Sequence, residues 1–237
     1  KIAKPDIGLI TNISKSHLDG YQDFNSLVTT KMALYESVKK NRGTFFLNLD
    51  DTNIRINDKY HDLITYSYSD NKSDYFADLA KIQDGSLAIN DVIFNVKFKS
   101  YTFAYNFLAS YSIASSLGVE NSNIINSLYS FSILKGRGDT IKKGDITIID
   151  DTYNANLASM KCGIENLEFK KNKGQNIVLI IGDMLDLGED SKDLHSELGE
   201  YISGLNFIDS VYCVGKESRF VIENINNKKI NLKLFID

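Results

Sequence analysis

The sequence predicts an α/β protein of βαβ units arranged in two successive domains. Three observations carry that expectation. Short apolar, β-branched runs alternate with longer stretches whose apolar residues recur at helical spacing. Several of these runs end in acids and amides, at residues 48–51, 150–156 and 182–189. Such polar strand ends face ligands in open α/β sheets. Lastly, Lys135-Gly136-Arg137-Gly138-Asp139-Thr140 interrupts the pattern and reads as a linker.

Taken in order, residues 7–13 read as a buried strand and 24–40 as a helix, with Leu27, Met32, Leu34, Tyr35 and Val38 on its core face. Residues 44–49 form a second strand introduced by Gly43. Residues 60–100 differ. Alternating runs at 76–82, 86–89 and 92–98, with turns at Asp84-Gly85 and Asn90-Asp91, predict a small antiparallel meander. A helix over 102–117 carries small residues for close packing (Ala104, Ala109, Ala114), and Gly118 ends it. A second helix lies near 122–131. Beyond the linker, strands at 146–149, 177–181, 211–214 and 232–236 alternate with helices near 158–169, 194–203 and 217–224. That alternation predicts parallel pairing, with two polar strand ends meeting at one crevice.

Composition narrows the function classes. The 237 residues, 43% hydrophobic and 24% charged, suit two small folded domains and not a disordered tail. A net charge of −4 argues against broad nucleic-acid binding, which needs a basic face. The longest wholly apolar run, 177–181, is far too short to span a bilayer. Cys162 and Cys213 have no metal-ligand spacing and suit a reducing, cytoplasmic setting. No secretory segment opens the chain, and a start without Met, just ahead of an apolar run, reads as a cut.

The candidate residues carry two readings each. Asp150 to Asn156 can present carboxylates, amides and N–H groups to a ligand, or simply cap the next helix. His17 reads as a surface or hydrogen-bonded residue, Lys31 as a solvated helix lysine. Asn106 is a helix-surface amide whose donor and acceptor also match the edge of adenine. Arg137, between flexible glycines, is either a solvated linker charge or a bidentate fork for phosphate. His195 follows an acidic first turn suited to the helix dipole.

DDTYNANLASM at 150–160, GDMLDLGE at 182–189 and the following His195 resemble the C-terminal domain of the Mur ligase family. Lys4-Pro5-Asp6-Ile7, Ile10-Thr11-Asn12-Ile13, His17-Leu18-Asp19-Gly20, Lys31 and Asn48-Leu49-Asp50-Asp51 resemble its central ATPase domain. The match runs in order over nearly the whole chain, and the 150–160 and 182–189 stretches are most similar to the branch that adds D-alanyl-D-alanine. The resemblance implies a partial P-loop-type central ATPase domain over 1–138, followed by a partial Rossmann-like parallel-sheet C-terminal domain over 139–237. Its activity would be an ATP-dependent ligation through an acyl phosphate, with Mg²⁺, UDP-MurNAc-tripeptide and D-alanyl-D-alanine. Residues 134–145 would be the hinge.

By the same resemblance His17 and Lys31 would hold the metal, Lys31 as a carbamate, although Ala33 stands where the family often has an acid. Lys31 and Arg137 would be catalytic. Asn106, Arg137 and Asp151 would bind nucleotide, through adenine, phosphate and ribose respectively. Phe103 replaces an Asn often found there and could wall the base. Tyr153, Asn154, Asn156 and His195 would lie near substrate. The sequence contains no G-x-x-G-K-T loop for the phosphates, so the 237 residues by themselves are expected not to ligate. A non-catalytic Mur-like module, or a folylpolyglutamate synthase-like ligase, stays open at this point.

Overall fold

Strands β1 (Ile7–Leu9), β2 (Thr44–Asn48), β3 (Leu63–Ser67) and β4 (Tyr75–Asp78) lie side by side in parallel in the computed structural model. It describes residues 4–56, 60–168, 170–171 and 174–236. The sheet continues antiparallel through β5 (Ser86–Ile89) and β6 (Val92–Asn95). The expected meander is present, therefore, but as the edge of the larger sheet. β3 falls within the span expected to be meander, yet it pairs in parallel with β2. Its run LITYS lacks the polar–apolar alternation of a one-sided strand because Tyr66 and Ser67 are both buried.

Helix α1 (Phe24–Lys40) has the expected bounds. Asp23 Oδ1 accepts from Ser26 N at 2.7 Å, and Asp23 N donates to Ser26 Oγ at 3.2 Å. This reciprocal cap satisfies two orphan donors. Leu27, Tyr35 and Val38 are buried, whereas Met32 and Leu34 are not fully so. Helix α2 (Tyr101–Ser116) starts on Ser100, which accepts from Phe103 N, and ends where Gly118 takes φ 77°. Its Ala104 and Ala109 are buried against a core built on Phe46, Leu87, Ile89 and Phe94. Helix α3 (Asn121–Ser130) follows.

Next come β7 (Asp139–Lys143) and β8 (Ile146–Asp150), an antiparallel ribbon. Helix α4 (Leu157–Glu168) leads to β9 (Val178–Gly182), α5 (Ser191–Ser203), β10 (Ser210–Val214), α6 (Arg219–Glu223) and β11 (Asn231–Phe235). The expected end of α4 at Phe169 lies outside the described residues, as do the first three residues of the chain. β9, β10 and β11 form a parallel sheet in the order β11-β10-β9. Its core gathers Met184, Leu198, Ile202, Val211, Cys213 and Val221.

Two expectations need correction here. Residues 139–143, expected in the hinge, form a strand. β8, expected in the parallel sheet, pairs with β7 instead. The cause is local. Gly144 at φ 59° closes a tight turn, so β7 reaches β8 with little loop entropy lost.

The chain divides into two compact units. One comprises the residues up to Ser14 with Gln22–Ser132; the other comprises Lys15–Tyr21 with the residues from Ile133 on. No helix among the described residues is long and apolar enough to cross a membrane.

Candidate functional site

In the first unit the polar strand end after β2 is largely spent on the fold. Asp50 Oδ1 accepts from Ser67 Oγ and Ser69 Oγ, both at 2.6 Å, and its Oδ2 from Tyr68 N at 2.9 Å. Asp51 accepts from Ile13 N at 2.5 Å and Asn53 N at 2.8 Å. Asn48 Nδ2 donates to Thr11 O at 2.7 Å. These bonds tie the ends of β1, β2 and β3 into one rigid rim, and they absorb carboxylates that the sequence offered to a ligand.

Lys31 is half-buried on α1 and Asn106 exposed on α2. Phe103 does not wall an open space. Its ring lies parallel to Phe107 (centroids 6.0 Å apart, 4° between planes) and 5.2 Å from Phe98, so packing occupies it.

In the second unit the structure brings Arg137, Asp151 and Tyr153 together. The Gly136-Arg137-Gly138 turn folds back on the loop after β8. Gly138 N donates to Asp150 O at 2.7 Å and Tyr153 N to Gly136 O at 3.0 Å. Gly136 (φ 75°) and Gly138 (φ 84°) occupy the left-handed region that makes this possible. The Arg137 guanidinium carbon then sits 3.6 Å from the Tyr153 ring centroid. Lost solvation raises the Asp151 pKa above the ordinary aspartate value; Arg137 opposes that, Asp150 adds to it and Lys170 opposes it. Desolvation lowers the Lys170 pKa in turn, with Asp151 pulling it back. Sequence reasoning missed Lys170, which is one of a run of lysines.

The neighbouring amides divide. Asn156 Oδ1 accepts from Ser159 N at 2.9 Å and caps α4, which is the structural alternative raised for this loop. Asn154 is exposed.

His195 is fully enclosed. Its Nδ1 donates to Ser191 O at 2.7 Å, which makes Nε2 the acceptor for Met184 N at 3.0 Å. Both ring nitrogens are used, so it shapes the 183–190 loop and offers no nitrogen to a substrate. Asp183, part of the polar strand end read at 182–189, accepts from Ser218 N at 2.7 Å and Lys216 N at 3.1 Å. The sequence held a further signal for it: Gly215 directly after β10. With φ 127°, a Cβ there would overlap the Asp183 carboxylate.

His17 is counted with the second unit, Lys31 with the first. His17 is exposed, has φ 55°, and its Nδ1 lies 3.3 Å from Asp186 Oδ2, while Leu18 N donates to Asp186 O at 2.7 Å. No group of three His, Cys, Asp or Glu side chains among the described residues is placed to hold a metal.

On an α/β chain of two units, the turn before β7 and the loop after β8 thus bring Arg137, Asp151 and Tyr153 together. Residues 1–119 match the Mur ligase middle domain, and residues 136–234 match the Mur ligase glutamate ligase domain. The chain belongs to the Mur ligase family. Among its relatives it is similar to the UDP-N-acetylmuramoyl-tripeptide–D-alanyl-D-alanine ligase of Buchnera aphidicola, 29% identical over 99% of this chain and 55% of that protein. The Haemophilus influenzae ligase of the same name is 28% identical over 96% and 50%. The chain thus spans about half the length of these curated relatives.

Solved structures agree. MurF from Thermotoga maritima, in complex with ADP, is 27% identical with TM-score 0.76, over 98% of this chain and 53% of that one. MurF from Acinetobacter baumannii shares the fold at TM-score 0.81 and 23% identity, over 98% and 51%. A Thermotoga maritima folylpolyglutamate synthase shares it more loosely, at TM-score 0.56 and 10% identity, over 98% and 54%.

Proposed function

We propose that the chain supplies nucleotide-binding and acceptor-side parts of an ATP-dependent, cytoplasmic ligase that joins D-alanyl-D-alanine to UDP-MurNAc-tripeptide. The reading divides the domains at 138/139. The observation that carries it is the clustering of Arg137, from the turn before β7, with Asp151 and Tyr153 of the loop after β8, in a chain similar to ligases of that name and to one solved with ADP.

The tripeptide carboxylate attacks the γ-phosphate, giving an acyl phosphate and ADP; the dipeptide amine then adds to the acyl carbon and expels phosphate. Arg137 suits this chemistry because its fork can pair with phosphate oxygens as their charge moves. Asp151 would accept hydrogen bonds from ribose hydroxyls, and Asn106 would meet the adenine edge. Tyr153 and Asn154 are exposed at this loop, open to a bound substrate.

The described side chains do not by themselves form a metal site, so Mg²⁺ would rest mainly on nucleotide oxygens and water. The His17 Nε2 is the ring nitrogen not engaged with Asp186, and a carbamate on Lys31 would add the oxygens a hard cation prefers. When bound, Mg²⁺ neutralises phosphate charge.

The test is made on the intact protein. ATP-dependent joining of the two substrates, with ADP and phosphate released, is expected. Arg137→Ala should weaken ADP binding about tenfold or more, roughly 1.4 kcal/mol. Nucleotide binding without ligation would instead support a non-catalytic module.

A further inference from the structure

We infer that Tyr153 is a positioning residue for Arg137: its ring is the shelf that holds the guanidinium flat, with the fork turned outward for a nucleotide phosphate. The inference rests on the function proposed above and assigns Tyr153 a part within that site.

The geometry is specific. At 3.6 Å from the ring centroid the guanidinium carbon stands over the ring itself. A guanidinium stacked in this way keeps its five N–H donors in its own plane and points none of them into the ring. Backbone bonds hold the turn, Arg137 N donating to Leu134 O at 3.1 Å, but neither glycine neighbour carries a side chain to restrain the guanidinium. Restraint comes from Tyr153 through both backbone and ring. Its N–H donates to Gly136 O at 3.0 Å, and its ring takes the guanidinium. Gly136 is buried against it, 3.4 Å separating a notional Cβ there from Tyr153 N. Asp151, two residues before the ring, draws the same cation by charge. A charge already aimed loses less freedom when the phosphate arrives.

Tyr153 is 67% exposed, so its removal should leave the fold intact, which far-UV circular dichroism of each variant checks. In the intact protein, ADP and adenosine affinities are measured by calorimetry. Expected for Tyr153→Ala is about a fivefold to tenfold loss of ADP affinity with adenosine affinity unchanged. Tyr153→Phe, which keeps the ring, should restore ADP affinity to within about twofold. In an Arg137→Ala background, Tyr153→Ala should change nothing further. Equal losses for ADP and adenosine would overturn the inference, because Tyr153 would then touch the nucleoside itself. So would an unchanged ADP affinity in Tyr153→Ala beside a weakened one in Arg137→Ala, and in that case the proposed function stands. If Arg137→Ala itself leaves ADP binding intact, the site reading fails and the inference with it.

Discussion

Asp183 shows how much one carboxylate can hold. It sits directly after β9 and gathers backbone N–H groups from the turn after β10, so it fixes the spacing of two neighbouring strand ends. Desolvation alone would raise its pKa. The N–H groups of Ser218, Glu217 and Lys216 and the Ser218 side chain outweigh that and lower it below the ordinary aspartate value. The sign follows: a carboxylate whose folded pKa is depressed adds stability above its unfolded pKa and loses it as pH falls through the folded one. Asp183→Asn should therefore cost about 1–2 kcal/mol at neutral pH, the worth of weakened charge-assisted bonds. Denaturant melts at descending pH would check this. The gap between wild type and variant should narrow below the ordinary carboxylate range, and a gap independent of pH would contradict the assignment.

At the scale of elements, contact distance decides what composition cannot. Gly199 lies in the middle of α5, where alanine would favour the helix by about 1 kcal/mol. A Cβ there, however, would overlap the Val221 carbonyl oxygen of α6 and come within 3.0 Å of Asn224 Cβ. Backbone cannot step aside as a flexible side chain does, and overpacking of this kind costs about 1–3 kcal/mol. Gly199→Ala should then be net destabilising by up to about 2 kcal/mol, the overpacking cost less the helix gain, read as a lower denaturation midpoint. A stabilised variant would show that α6 moves freely.

The same scale explains what the sequence made legible. α1 could be bounded because Asp23, the apolar spacing and the closing Lys39-Lys40 are local signals, and Gly118 marked the end of α2 for the same reason. β7 was hidden because DTIKK has a single apolar residue and borders a glycine-rich turn; its strand identity comes from pairing with β8, which is tertiary. The cluster of Arg137, Asp151 and Tyr153 was legible as residues but not as a stack. His195 misled for the converse reason. Its neighbours Leu194 and Leu198 marked a core face, but the N–H it serves belongs to Met184, in the loop before the helix.

At the scale of the whole chain, the two hydrophobic clusters share no residue. One runs from Phe46 to Ile124 and the other from Ile164 to Ile230. Each contains its own fully buried large side chains, Phe46 and Phe94 in the first, Leu198 and Ile202 in the second. Cooperativity extends as far as a core is continuous, so two separate cores predict two unfolding transitions. Phe46→Ala removes a buried ring and should cost its own transition about 3–5 kcal/mol, and Ile202→Ala about 2–5 kcal/mol in the other. Scanning calorimetry of the 237-residue chain tests this directly. Each variant should lower one transition and leave the other in place. A single transition, shifted alike by both substitutions, would mean that the units unfold together despite their separate cores. In that event coupling would have to come from outside the buried clusters.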